Sequence, residues 1–383
     1  MQRDGVKVLM VLRYICLGMF IPIILLQTGC WDMKLYEEIG FIMQFGLEYD
    51  KDENLLISMT SPVVSPDAKE SAEILHTTSE TLVRGSRELL RNKAGKMLQG
   101  GKVQHIFFSE DMARKEGVYQ YIEVFIRNPE NPMLANVAIV KGSPKEMMEL
   151  NLEYTNKPRP AYYMADLLRD AHRRAAAPET RIYRMSILYH SGTIDPVLPY
   201  IRYDDKDIEI IGSAIMDGDK MVGEIDVKQT MLLNALMGMN KHFEYIYDGK
   251  TPNENEKVIK QGIAARVRDS DRRIRINTEG ETPVIGISLK LTALVDEYSG
   301  ENRLIINEEK RKLEETVSKD IEKQILDLLR YLQSAGSDPV GFGEMVRAYH
   351  NKYWKSVDWG EVYGDVEFRA DVKLNFEIYG AIE

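Results

Sequence analysis

Cysteine is almost missing from this sequence: Cys16 and Cys30 are the only two in 383 residues. That excludes a disulfide framework or a cysteine metal cluster within one chain. Cys16 falls in a segment that reads as a cleaved leader, so a mature chain would keep one. A secreted protein without disulfides suits a Gram-positive envelope. Histidine is nearly as scarce, and His76, His105, His172, His190, His242 and His350 show no His-Glu-x-x-His or similar ligand spacing. Excess positive charge is also lacking. The net charge is −10, so nothing marks a nucleic-acid binder. Glycine-rich phosphate loops are absent too. Gly341-Phe342-Gly343 lacks a third glycine and reads as a tight turn. Gly286-Ile287-Ser288 lacks the closing glycine of a nucleophile elbow. Asp217-Gly218-Asp219 is turn chemistry, not a calcium loop. No catalytic triad, paired-carboxylate site, metal site or cofactor site can be argued.

A long apolar run is missing as well. The longest, Tyr14 to Leu26, has 13 residues. As a helix it reaches roughly 20 Å, short of the roughly 30 Å hydrocarbon core, and Pro22 weakens it further. Arg3, Lys7 and Arg13 precede it, and Leu26-Gln27-Thr28-Gly29 leads to Cys30. A basic head, a short apolar centre and small residues before a cut make a secretory signal over 1–29. The Thr28-Gly29-Cys30 ending resembles a bacterial lipobox, in which the cysteine sulfur receives a diacylglyceryl group. Gln27 stands where an aliphatic residue is usual. An uncleaved signal-anchor is the alternative. Removing 1–29 takes away three cations and one acid, leaving about −12. Such a body is mildly repelled by anionic lipid, so attachment is expected from the acyl chains.

Periodicity gives the remaining elements. Ile39 to Phe45 enters a first strand, and Leu55 to Met59 returns from a turn at Asp50-Lys51-Asp52. Ser61-Pro62 and Ser65-Pro66 start a loop, and Thr78 to Lys93 reads as a helix with Leu82, Leu89 and Leu90 on one face. Val103 to Phe108, a helix capped by Ser109, a second helix through Tyr121 to Ile126, and Asn136 to Val140 imply a crossover with parallel pairing. Met147 to Arg174 is mostly helical, and Ile182 to Leu188 suggests a strand. Asp204-Asp205-Lys206-Asp207 marks a boundary between 30–205 and 206–383. Ile208 to Met216 and Lys220 to Ile225 form a hairpin. Asp226 with Gln229 makes a capping box. Pro283 to Val295 alternates as a strand. Glu308 to Leu332 carries an apolar stripe from Leu313 to Leu332. Val366 to Ile378 alternates so cleanly that a half-buried antiparallel strand is expected.

Two stretches carry a family resemblance. One is Gly29-Cys30-Trp31-Asp32 with Glu37-Glu38-Ile39. The other is Asp338-Pro339-Val340-Gly341-Phe342-Gly343 through His350, then Tyr353-Trp354 and Trp359. Both resemble the Ger(x)C family of spore germination lipoproteins, the C subunits of germinant receptors. The hairpin from Gly212 to Gly223 fits the start of that family's C-terminal domain. Asn351 and Gly364 stand where proline is common in the family. The resemblance implies an elongated α+β assembly of mixed and antiparallel sheets with packed helices. It implies a protein anchored by lipid on Cys30 to the outer face of the spore inner membrane, with integral-membrane A and B subunits as partners. The implied work is binding, not catalysis. A solute-binding lipoprotein of a transporter is the alternative, although no duplicated lobe is visible. A lipid-anchored hydrolase would need a signature that is absent. His350 and Tyr353, set among aromatics, are the candidate partner contacts; packing beneath a loop is the other reading. Trp354 is expected in the core and Tyr353 nearer the surface.

Overall fold

The computed structural model describes residues 13–15, 18, 38–63, 72–79, 83–154, 157–239, 242–252, 258–280, 282–299 and 307–377. Compact units 1–39 and 40–383 separate. In the first, residues 13–15 are helical, with Tyr14 and Ile15 exposed. The cut site, Cys30, Trp31-Asp32, Ser65-Pro66, Leu82 and Ile378 lie outside the described residues.

The described residues form three sheets, of eight, four and two strands, the last pairing Ile39–Phe41 with Met97–Gln99. The strands are β1 (Ile39–Phe41), β2 (Gln44–Tyr49), β3 (Leu55–Pro62), β4 (Ala72–Ser79), β5 (Met97–Gln99), β6 (His105–Ser109), β7 (Asn136–Val140), β8 (Val197–Tyr203), β9 (Ile208–Asp217) and β10 (Lys220–Asp226). The larger sheet runs β10-β9-β8-β7-β6-β2-β3-β4. Its centre, β2 with β6, β7 and β8, is parallel, and antiparallel hairpins extend both edges. The centre is parallel because each connection there crosses over through helices. These helices are α1 (Val83–Ala94), α2 (Glu110–Lys115), α3 (Tyr119–Ile126), α4 (Pro144–Glu153), α5 (Pro160–Arg173) and α6 (Ile182–Ser191). Both faces are covered, so β6 and β7 read as unbroken apolar runs. Ile106, Phe108, Val137 and Ile139 pack with Met112, Ile122, Phe125 and Met185 on one face. Phe107, Ala138 and Val140 pack with Met147, Met148, Met164 and Leu168 on the other.

Three local expectations are corrected here. Ile182 to Leu188 is helical: Ile182 and Met185 are buried at a spacing of three, while Ile187 faces out. Its aromatic and β-branched content imitates a strand. Thr78 belongs to β4, α1 begins at Val83, and Leu89 is exposed beside a fully buried Leu90. Ser61 and Pro62 do not begin a loop. They close β3, paired with Glu73 and Ala72, at a strand end where proline is tolerated.

The smaller sheet contains β11 (Phe243–Pro252), β12 (Val258–Asn277), β13 (Val284–Tyr298) and β14 (Glu367–Glu377), in that order. Four further helices are α7 (Val227–Leu236), the long α8 (Asn307–Ser334), α9 (Phe342–Tyr349) and α10 (Asn351–Trp354), and α11 (Trp359–Tyr363) leads into β14. The capping box of α7 is complete: Asp226 accepts from the Gln229 N–H, and Gln229 accepts from the Asp226 N–H. Leu313, Val317, Ile321, Ile325, Leu328, Leu329 and Leu332 form one buried stripe of α8. It shares a core with Ile285, Ile287, Leu289, Leu291 and Val295 of β13. β14 buries Val372, Leu374 and Phe376 and exposes Arg369, Asp371 and Lys373, as its alternation requires. Its direction is corrected, however. β14 runs parallel to β13, from Val284↔Glu367 to Leu294↔Glu377. α8 intervenes between the two strands and makes the connection a crossover, which a tight antiparallel turn does not need.

Candidate functional site

The segment after α8 builds a cavity from local chemistry. α8 is followed by Gly336, with φ of 70°, a left-handed value that suits glycine after a helix. Asp338 then folds back over the start of α9. Its Oδ1 accepts from the N–H groups of Gly341 (2.9 Å) and Phe342 (3.0 Å), and its Oδ2 from Gly343 (2.7 Å). Three otherwise orphaned helix-start donors are thereby satisfied. Gly341 adopts φ of 79°, and Gly343 lies under the indole of Trp359, where an added Cβ would come within 2.6 Å of Nε1. Phe342 is fully buried. The aspartate, the phenylalanine and both glycines of Asp-Pro-Val-Gly-Phe-Gly thus have a geometric reason; the tight-turn reading of Gly341-Phe342-Gly343 is corrected, since the turn lies at Pro339 and Val340, and Phe342 and Gly343 already open α9.

A second acid joins from the larger sheet's side. Asp195, just before β8, accepts from the Asp338 N–H at 2.7 Å and the Gly218 N–H at 2.8 Å. Ser337 donates to the Met216 carbonyl, and Tyr363 donates to the Ser337 carbonyl at 3.0 Å. These bonds stitch α8, α11 and the β9–β10 hairpin around a cavity of about 480 Å³. Trp354, Trp359, Tyr363, Asp195, Asp338 and Asp358 are among its lining residues, and no lysine or arginine is. Burial pushes the Asp338 carboxyl up to about 6; the three N–H groups oppose this, and nearby Asp195 adds to it. Burial also raises Asp195, against the pull of its two N–H donors. Burial likewise raises Tyr363, helped by both carboxylates. Carboxylates and ring faces together select for cations over anions.

The expected contact residues lie at the edge of this structure. His350 follows α9, is half-buried, and its Nδ1 lies 3.2 Å from the Thr278 hydroxyl. Tyr353 is half-buried against the core shared by α8 and the four-stranded sheet. Trp354 is corrected: it too is only half-buried, and Trp359, 6.3 Å away ring to ring, takes the core position. α10 is a single turn, too short to sink both of its aromatics. Tyr349 is the most exposed large aromatic of the segment, at 82%. Of the histidines, His105 is fully buried in β6 and stacked on Phe107, and burial alone holds it down to about 3. Sequence reasoning missed Asp195 altogether. An aspartate three residues ahead of Gly341 was the available signal for the Asp338 cap.

Comparison with known proteins places the chain. The model of the spore germination protein N-terminal domain matches residues 32–203, and that of the spore germination B3/GerAC-like C-terminal domain matches 211–380. The chain belongs to the Ger(x)C family. This Ger(x)C chain is 23% identical over 363 residues to spore germination protein GerQC of Bacillus cereus, covering 93% of this chain and 97% of that one. It is 22% identical over 375 residues to spore germination protein B3 of Bacillus subtilis, with 94% and 96% covered. The crystal structure of the GerBC protein shares the fold, with a TM-score of 0.57 at 17% identity over 87% of this chain and 96% of that chain. The α+β class with several sheets is therefore that of its family. The gap between the two Ger(x)C models, 203 to 211, falls at the turn between β8 and β9, antiparallel neighbours in one sheet.

Proposed function

We propose that this Ger(x)C chain is the lipid-anchored C subunit of a spore germinant receptor, working by binding and assembly and not by catalysis. Family models matching from 32 to 380, with Cys30 and its lipobox-like approach immediately ahead, carry this reading. No helix among the described residues is long and apolar enough to cross a membrane. The anchor is Cys30, after removal of 1–29, and the location is the outer face of the spore inner membrane. The regions 30–205 and 206–383 together form the ectodomain. The partners are the integral-membrane A and B subunits, with His350 and Tyr353 at the contact. Cys30→Ala should abolish palmitate labelling and release the protein from spore membranes or leave uncleaved precursor. Labelling that persists in the variant would refute the anchor. His350→Ala should keep its melting temperature and lose co-purification with the membrane subunits.

A further inference from the structure

The cavity beside Asp195 and Asp338 has a lining that the packing role of this segment leaves unexplained. Part of its wall is aromatic. Trp354 and Trp359 lie 6.3 Å apart, ring centre to ring centre, with planes tilted by 36°. Trp359 and Tyr363 lie 6.0 Å apart with a tilt of 39°. Neither pair is stacked flat, so no ring in this wall covers the face of the next. At about 480 Å³ the cavity falls within the roughly 300–1,000 Å³ of small-molecule sites.

The rest of the wall carries charge of one sign. Asp338 is buried in it, Asp195 is half-buried, and Asp217 and Asp358 are exposed. Backbone N–H groups meet these carboxylates, including Gly360 on Asp358 at 2.9 Å. An N–H brings a dipole and leaves the formal charge in place, and a carboxylate has about four lone-pair sites to fill. The charged groups that act on Asp338 and Asp195 are themselves carboxylates, Asp195 and Asp217 respectively. At the rim, Thr193 donates to Glu344 Oε2, and Arg347 is engaged by the same Glu344 at 2.6 and 2.8 Å. Exposed Lys352 and Lys355, in and after α10, lie outside the lining. The acids are spread around the wall: among the described residues, no three acidic, histidine or cysteine side chains gather as a metal set.

We propose that this cavity binds a small organic cation, an alkyl-substituted ammonium ion, with Trp354 and Trp359 as ring contacts and Asp217 and Asp358 as the opposing charge. Ring faces attract a cation through their quadrupole, and most strongly one that sheds its water easily. An alkylated ammonium ion spreads its charge over an apolar surface and meets that condition better than a bare metal ion. The same carboxylates repel an anion of equal size. The wall is drawn from the residues before β8, from the β9–β10 hairpin and from the segment after α8, so an occupant would tie that hairpin to that segment. The inference does not depend on the lipid at Cys30 or on partner subunits.

The test uses the full chain carrying Cys30→Ala, titrated by calorimetry with butylammonium and tetramethylammonium chloride. Sodium butyrate and calcium chloride are the comparisons. Both ammonium ions should bind at one site per chain, and butyrate should not. Asp217→Asn with Asp358→Asn removes two exposed charges, and the asparagine at 358 can still accept from the Gly360 N–H. The melting temperature should hold while affinity for both ammonium ions falls roughly tenfold at low salt. Trp354→Ala should lower affinity roughly two- to thirtyfold, and Trp354→Phe should restore most of it. Asp205→Asn with Asp207→Asn, in the turn between β8 and β9, should leave binding unchanged. The proposal is overturned if neither ammonium ion binds, if butyrate binds as well as butylammonium, or if the turn variant loses as much as the cavity variant. Calcium binding more tightly than either ammonium ion would make this a metal site and overturn it as well.

Discussion

A single carboxylate, Asp338, organises the segment between the longest helix and the last strand. Its folded value, about 6, lies above the ordinary 3.8, because burial disfavours the charge. The folded state therefore holds the proton more tightly than the unfolded chain. The stability this contributes is fully present below about 3.8 and is lost as pH rises through about 6. Asp338→Asn keeps one acceptor but turns an amide donor toward the Gly343 N–H. It should cost about 1–3 kcal/mol, with the larger difference from wild type near pH 4 and the smaller near pH 8. Urea melts across that range check it, and a difference that grows with pH would contradict the assignment. The aromatic pair separates in the same way. Trp359→Ala should cost about 3–5 kcal/mol, and Trp354→Ala clearly less, because Trp359 is the buried one. Thermal melts giving equal losses would mean that α10 packs more deeply than its half-buried rings indicate.

At the level of elements, β14 faces a problem that its alternation did not announce. It is an edge strand, and the outward N–H groups of an edge invite pairing with another chain. α8 covers them with side chains from its own flank. The Leu374 N–H donates to Ser318 Oγ at 3.1 Å, and the Phe376 N–H to Glu314 Oε1 at 2.7 Å. Ser318→Ala with Glu314→Ala leaves both donors without these acceptors. A loss of about 1–3 kcal/mol per buried donor is expected, with faster amide exchange confined to Leu374 and Phe376. Unchanged exchange at those two amides would show that the edge is protected by burial alone. The same helix shows why the apolar stripe was readable: seven residues at helical spacing report a buried face whatever they pack against. Ile182 to Ser191 shows the converse. Short elements with two buried positions and several aromatics do not carry enough periods to separate helix from strand.

Across the whole molecule, the larger sheet runs through the turn at 204–207, so β9 and β10 belong to the second region by sequence and to the first region's sheet by pairing. Ala214, Met216 and Met221 sit in the core built around β6 and β7. Residues 30–205 and 206–383, produced separately, should therefore be poorly soluble. Co-expression should restore a folded complex that melts in one transition. Two soluble halves with independent melts would refute this. By itself, the sequence determined which segments are helices and strands wherever the period is long, as in α8, β13 and β14. It also determined the α7 capping box and the hairpins, because each of these depends on neighbours within a few residues. Only the tertiary structure decided that β14 lies parallel to β13, that Trp359 and not Trp354 fills the core, and that Asp195 meets Asp338 across 143 positions. Alternation reports that one face of a strand is wet and is silent on the direction of its neighbour. Burial of one aromatic over another, or the meeting of two carboxylates, depends on how distant elements pack, and no local pattern encodes that.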